Sequence, residues 1–162
     1  MAAAPWIVSD ELWELVEPLL PKKERRFRYP GRKRLPDRQA LQGILFVLYT
    51  GIAWQHLPGE LGFGSGVTCW RRLDEWQRAG VWEELHVLLL ARLRATGELE
   101  WSRANRRFKS GPGEKGGSET GPSPVDRGRP GSKHHLLVDA TGIPLAFSVT
   151  GGNRNDVTQL IP

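Results

Sequence analysis

All seven tryptophans of this 162-residue chain lie between Trp6 and Trp101, whereas residues 102–162 carry only Phe108 and Phe147 as aromatics, among 16 glycines and prolines. That division constrains the fold more than any other feature. The first part holds enough large apolar surface for a packed core, while the 61-residue remainder would struggle to offset its own ordering entropy. A helical domain over residues 1–101 is therefore expected. After it come a loop-rich segment over 102–132 and a β-hairpin over 133–162 that leads into the start of a helix.

Local signals place the helices. Ser9 precedes Asp10-Glu11 as an N-cap followed by first-turn acids, and Leu12, Trp13, Val16, Leu19 and Leu20 form a stripe that Pro18 and Pro21 bring to a close. A second helix is expected from Asp37 to Thr50, with Leu41, Ile44, Leu45 and Leu48 at core spacing and Gly51 ready to take positive φ just past its end. Trp54–Leu57 suggests one further turn. Ser65 then caps a third helix, with Val67, Trp70, Leu73 and Trp76 expected inward and Thr68, Arg71, Arg72 and Glu75 outward. Beyond Gly80, Val81, Trp82, Leu85, Leu88, Leu89 and Leu93 continue an apolar face as far as Gly97. Residues 111–132 show no periodicity and read as a long loop, and strands return at Lys133–Val138 and Ile143–Thr150 around an Asp139–Gly142 turn. Asn155-Asp156 offers one more helix cap.

Charge is as unevenly distributed as the aromatics. Residues 22–38 hold nine basic side chains against Glu24 and Asp37, a net +7, although residues 1–101 together carry only +1. Such a strip, read as a solvated arm, suits a polyanion, and its phosphate contacts would be independent of sequence and sensitive to salt. A turn near residues 53–58 followed by a capped helix displaying Thr68, Arg71 and Arg72 fits a helix-turn-helix-like bundle whose second helix enters the major groove. The expected DNA-binding residues are Thr68, Arg71 and Arg72 on that helix and Arg32, Lys33 and Arg34 on the arm.

Signals for other chemistry are sparse. His56, His86, His134 and His135 lack zinc-ligand spacing, and Cys69 is the only cysteine, which rules out an intramolecular disulfide and a cysteine zinc cluster. Asp126, Asp139 and Asp156 are the aspartates of the C-terminal part, and none stands in a pattern that points to a two-metal site. Gly151-Gly152-Asn153 is followed by no lysine-bearing helix start and is not a phosphate loop. No apolar run approaches the roughly 20 residues that cross a bilayer. A bacterial cytoplasmic protein, associated with the nucleoid through DNA and making no membrane contact, is expected.

Several segments together resemble one family. Leu41–Leu48, Thr50-Gly51-Ile52-Ala53-Trp54, Gly64–Leu73, Thr120–Gly128, Lys133-His134-His135-Leu136 and Gly152–Asp156 are similar to bacterial insertion-element transposases of the insertion element five family, and the similarity covers nearly the whole chain. The resemblance implies an α+β protein in which the helical DNA-binding domain precedes a ribonuclease-H-like catalytic domain. In that family an Asp-Asp-Glu triad holds magnesium ions for cleavage and strand transfer at the element's ends. Terminal inverted repeats in double-stranded DNA are the implied partner, together with a second copy or a full-length transposase.

This chain departs from the family at the first aspartate. The flanks Trp101-Ser102-Arg103-Ala104 and Lys115-Gly116-Gly117 are present, but Arg107 stands where the aspartate of a Val-Asp-Ser-Ser-His-Val-Arg-Ala segment is expected. Arginine cannot ligate magnesium, and its charge repels the ion. If Arg106–Gly113 is encoded CGT CGA TTC AAG TCA GGT CCG GGC, reading one base later restores Val-Asp-Ser-Ser-Gln-Val-Arg, so two compensating indels or two sequencing errors between about Ala104 and Lys115 would account for the segment. By the same resemblance the other two triad members belong to stretches after Pro162, and Asp139 is not a triad position. The expected protein is thus a truncated transposase fragment that binds element ends, with no catalytic residue, no metal ligand and no cofactor of its own. The competing readings are a stand-alone helix-turn-helix DNA-binding protein, a regulator of a full-length transposase, and the non-functional product of a decayed reading frame.

Overall fold

The computed structural model describes residues 4–23, 27–28, 33–102, 105–112, 120–124 and 127–154, and between 106 and 112 it defines backbone only. The chain divides into two units, Met1–Leu89 and Leu90–Pro162. Of the residues singled out in the sequence, Arg32, Asp126 and Asn155-Asp156 lie outside the described residues.

The first unit is helical, and its helix ends follow local chemistry. Helix α1 spans Asp10–Val16, with Ser9 Oγ accepting the Leu12 N–H at 3.2 Å and Asp10 and Glu11 in the first turn. A cap of this kind contributes about 1 kcal/mol. A 3-10 turn over Glu17–Leu19 contains Pro18. Helix α2 spans Asp37–Thr50 and stops at Gly51, whose φ of 69° lets its N–H reach the Val47 carbonyl at 2.9 Å. Helix α3 spans Gly66–Arg78 behind the Ser65 cap, and α4 spans Val81–Ala95, reaching into the second unit.

The core gathers Val8, Val16, Leu20, Ala40, Leu41, Ile44, Val47, Leu57, Phe63, Cys69, Trp76 and Val81. Trp6 stacks edge-on against Phe46 at 5.0 Å, and Trp76 against Trp82 at 5.8 Å. Helix α2 seats against α3 where Gly43 leaves room, because a Cβ there would stand 2.6 Å from Cys69 Sγ and 3.0 Å from Phe63.

Two helix faces differ from the periodicity reading. Leu48 is exposed, and α2 instead buries Ala40, Leu41, Ile44 and Val47. On α3 the inward side chains are Cys69, Arg72 and Trp76, while Val67 and Trp70 face solvent. Contact with Phe63 and Gly43 draws Cys69 inward, its Sγ lying 3.3 Å from the Phe63 carbonyl, and the rest of the helix follows that rotation. The link between α2 and α3 also differs from the short corner of a compact helix-turn-helix, which takes about three to four residues. Here residues 51–65 intervene, folded into 3-10 turns at Trp54–His56 and Gly59–Leu61.

The second unit is an antiparallel sheet with strands β1 (Asn105–Pro112), β2 (Gly121–Pro122), β3 (Pro130–Val138) and β4 (Pro144–Gly151). Strand β3 is central. Gly131 pairs with Pro112 of β1 and with Gly121 of β2, which puts β1 on one edge of β3 and β2 on the other, where β4 continues alongside Ser132–Val138. The sheet is thus three strands wide, wider than the expected hairpin, and the segment expected to be loop-rich carries a strand over 105–112. Backbone pairing explains this, since every β1 residue from Asn105 to Pro112 faces a β3 residue in continuous register. Among the described apolar residues of this unit, Leu99 and Val138 are buried and Phe147 is exposed.

Candidate nucleic-acid interface

Helix α3 begins at a glycine because nothing larger fits: a Cβ on Gly66 would overlap the Trp54 carbonyl. Ser65 Oγ accepts the Thr68 N–H at 3.3 Å and lies 2.9 Å from the Thr68 hydroxyl, which fixes the first turn. One turn further, Arg71 is exposed, and Arg72 points the other way.

Arg72 corrects the expectation of an outward, DNA-reading side chain. It is only 4% exposed, and its guanidinium donates to Asp37 Oδ1 and, at 2.9 Å, to the Leu35 carbonyl. A buried arginine needs such partners, because an uncompensated charge in the interior is costly. Burial pushes the Asp37 carboxyl above its ordinary value, with the neighbouring Glu75 and Glu17 adding to the rise and Arg34 opposing it. Leu35 sits over Gly64, whose left-handed φ of 79° and missing Cβ admit it. Together these contacts bind the end of the basic strip to α3.

The strip is therefore not wholly a solvated arm. Arg34 forks onto Glu75, with Nη2–Oε2 at 2.7 Å and Nη1–Oε1 at 3.4 Å, and Lys23 Nζ approaches the same carboxylate at 3.7 Å. Arg38 ties the N-terminal segment to α2 through the Val8 carbonyl and Asp10, each at 2.6 Å. Lys33 stays exposed.

Between strip and helix lies an open groove of about 640 Å³. It brings together Lys33, Arg34, Thr68, Arg71 and Arg72, with Lys23 and Glu75 beside them. Among the described residues Lys23, Lys33, Arg34 and Arg71 thus share the groove with Glu75, while the guanidinium of Arg72 is turned to Asp37. Among the described residues neither Lys33 nor Arg71 has an ion pair. The sequence places Lys23 in the basic strip and Glu75 on the outward face of α3 but marks neither as a site residue, because the pairing of Glu75 with Arg34 spans 41 residues.

In the second unit, Asp139 serves the turn between β3 and β4. Its Oδ1 accepts the Thr141 N–H at 2.9 Å and the Ile143 N–H at 2.8 Å, and its Oδ2 accepts the Glu100 N–H at 3.2 Å. Burial pushes this carboxyl up, but the hydrogen bonds from Ile143, Glu100 and Thr141 outweigh that and hold it below its ordinary value. His135 is buried with Nε2 3.0 Å from the Thr150 hydroxyl. Among the described residues no three histidine, cysteine or acidic side chains converge. With Asp139 oxygens taken by backbone donors, these residues do not fit a magnesium ion.

Comparison with known proteins accounts for both units. Residues 8–86 match a family model described as "Putative transposase of IS4/5 family", and residues 94–162 match one described as "Transposase DDE domain". Over 99 residues the chain is 62% identical to "Insertion element IS402 uncharacterized 16.2 kDa protein" of Burkholderia cepacia, an alignment covering 60% of this chain and 67% of that protein. It is 45% identical over 87 residues to "Putative transposase for insertion sequence element IS402" from the same organism, covering 45% of this chain and 41% of that one. No solved structure gives a significant match. No helix among the described residues is long and apolar enough to cross a membrane. From the extent of these matches, the chain belongs to the IS4/5 family of insertion-element transposases.

Proposed function

We propose that the helical unit binds double-stranded DNA at the terminal repeats of an insertion element, using the groove between α3 and the basic strip. The observation that carries this reading is the meeting of Lys33, Arg34, Thr68 and Arg71, drawn from two separated stretches of chain, around one groove. In this reading α3 is the recognition helix of a helix-turn-helix-like bundle with an extended corner. Arg71 and Thr68 approach base edges or adjacent phosphates, Lys33 and Arg32 follow the backbone, and Arg72 positions the helix from behind. The sheet unit is read as a ribonuclease-H-like portion of the DDE domain. Its β1 carries Arg107 opposite Leu136 and no carboxylate, which favours a DNA-binding partner or competitor of an intact transposase over a strand-transferring enzyme.

Fluorescence anisotropy with a labelled duplex carrying the element's ends tests the assignment. Replacing Arg71 by alanine should weaken binding by about 1–3 kcal/mol without lowering the melting temperature. Arg72→Ala should lower both, because it leaves Asp37 without its buried partner. Unchanged affinity in the Arg71 variant would remove α3 from the interface. Strand transfer by this chain with magnesium and end-bearing DNA would overturn the non-catalytic reading.

A further inference from the structure

The groove already contains an anionic side chain in the place where an anionic ligand would be held. Arg34 presents its planar fork to the Glu75 carboxylate, and Lys23 approaches the same group, as these side chains would meet a phosphate. Among the described residues Glu75 is the acidic side chain that lines the groove, with Asp37 behind it 4.0 Å from Arg34 Nε. The pair is only half-buried, with side-chain exposures of 34% and 30%, so a competing anion can reach it from solvent.

We propose that Arg34 and Lys23 form the seat of one DNA backbone phosphate, and that Glu75 occupies this seat in the free protein and is displaced on binding. The inference rests on the DNA-binding reading above and adds a specific site and a built-in competitor to it. A phosphodiester presents two non-bridging oxygens to the guanidinium fork, as the carboxylate does, so one anion replaces the other without remaking the groove. Glu75 then weakens attachment to any DNA that fills this seat, whatever its sequence, because such a complex must first break the Arg34–Glu75 pair. Arg72, held by Asp37 and Leu35, takes no part in this exchange.

The test uses the full chain and a fluorescein-labelled 20-base-pair duplex of mixed sequence, read by anisotropy across a salt series. Glu75→Gln removes the competing charge and should tighten binding about fivefold at low salt, the value of a half-buried pair near 1 kcal/mol. Asp74→Asn, which deletes an equal charge on the neighbouring α3 position paired with Arg78, should have a smaller effect. Arg34→Ala should flatten the slope of log Kobs against log salt by about 0.9, one phosphate's worth. In the Arg34→Ala background, Glu75→Gln should lose most of its effect. Equal tightening by the Glu75 and Asp74 variants, or a Glu75→Gln gain that survives without Arg34, would overturn the seat while leaving DNA binding intact. Absence of binding by every variant at low salt would overturn the DNA reading and the seat together.

Discussion

In residues 1–89 twelve side chains close into one apolar cluster, whereas in residues 90–162 the described buried apolar side chains are Leu99 and Val138. Among the described residues of the second unit, the contacts that join its elements are the ladder that β3 makes with a strand on each edge and the Asp139 turn. Burial of apolar area contributes about 25 cal/mol per Å². A net backbone hydrogen bond contributes only about 1 kcal/mol, because water competes for the same groups in the unfolded chain. The tryptophan asymmetry of the sequence is therefore also an asymmetry in what holds each unit together. The helical unit should tolerate changes on its surface and fail through its core, and the sheet unit should respond to whatever weakens its pairing and turn.

The sharpest way to break that contrast is Trp76→Ala. Trp76 is fully buried, and its loss should cost about 3–5 kcal/mol, seen as a large drop in the melting midpoint followed by tryptophan fluorescence. A midpoint that stays within a few degrees would mean that the aromatic core is not what stabilises the first unit. Gly66→Ala comes next. It adds a single methyl group that overlaps the Trp54 carbonyl, a clash that only backbone movement relieves, at a cost of up to about 3 kcal/mol. An alanine variant with native stability would show that the start of α3 is looser than its geometry indicates.

The smallest effect belongs to the sheet unit and is read against pH. Because hydrogen bonds hold the folded Asp139 carboxyl below its ordinary 3.8, its stabilising contribution is complete above that value. The contribution is lost as pH falls through 3.8 toward the folded value. Circular dichroism of the sheet during acid titration should show this loss, and Asp139→Asn should reduce the acid sensitivity. Identical acid limbs in the two proteins would remove Asp139 from the account of the turn.

Much of the helical unit was legible because its signals are local. Ser9 and Ser65 cap α1 and α3, and Gly51 closes α2, each acting within a turn of its own position. The groove was legible in its residue types but not in its geometry. Arg71 and Arg72 are adjacent and chemically identical, so spacing treated them alike, yet one faces solvent and the other is bonded to Asp37, 35 residues earlier. Trp70 was expected inside for its apolar ring and lies outside, because Cys69 and Trp76 together set the rotation of the helix. Strand β1 escaped notice for a different reason. Asn105–Pro112 has one apolar residue, Phe108, and no alternation, and it becomes a strand through a register with β3, which begins at Pro130.

By itself the sequence determined where the helices start and stop, that the apolar core belongs to the first half, and that positive charge is concentrated between Lys22 and Arg38, since caps, composition and charge are properties of short stretches. Tertiary structure alone decided which arginine of α3 is buried, that Glu75 answers Arg34 and Lys23, and that residues 105–112 pair as a strand. Each of these depends on groups brought together across long chain separations. There the favourable geometry of a partner, rather than the residue's own preference, sets its conformation.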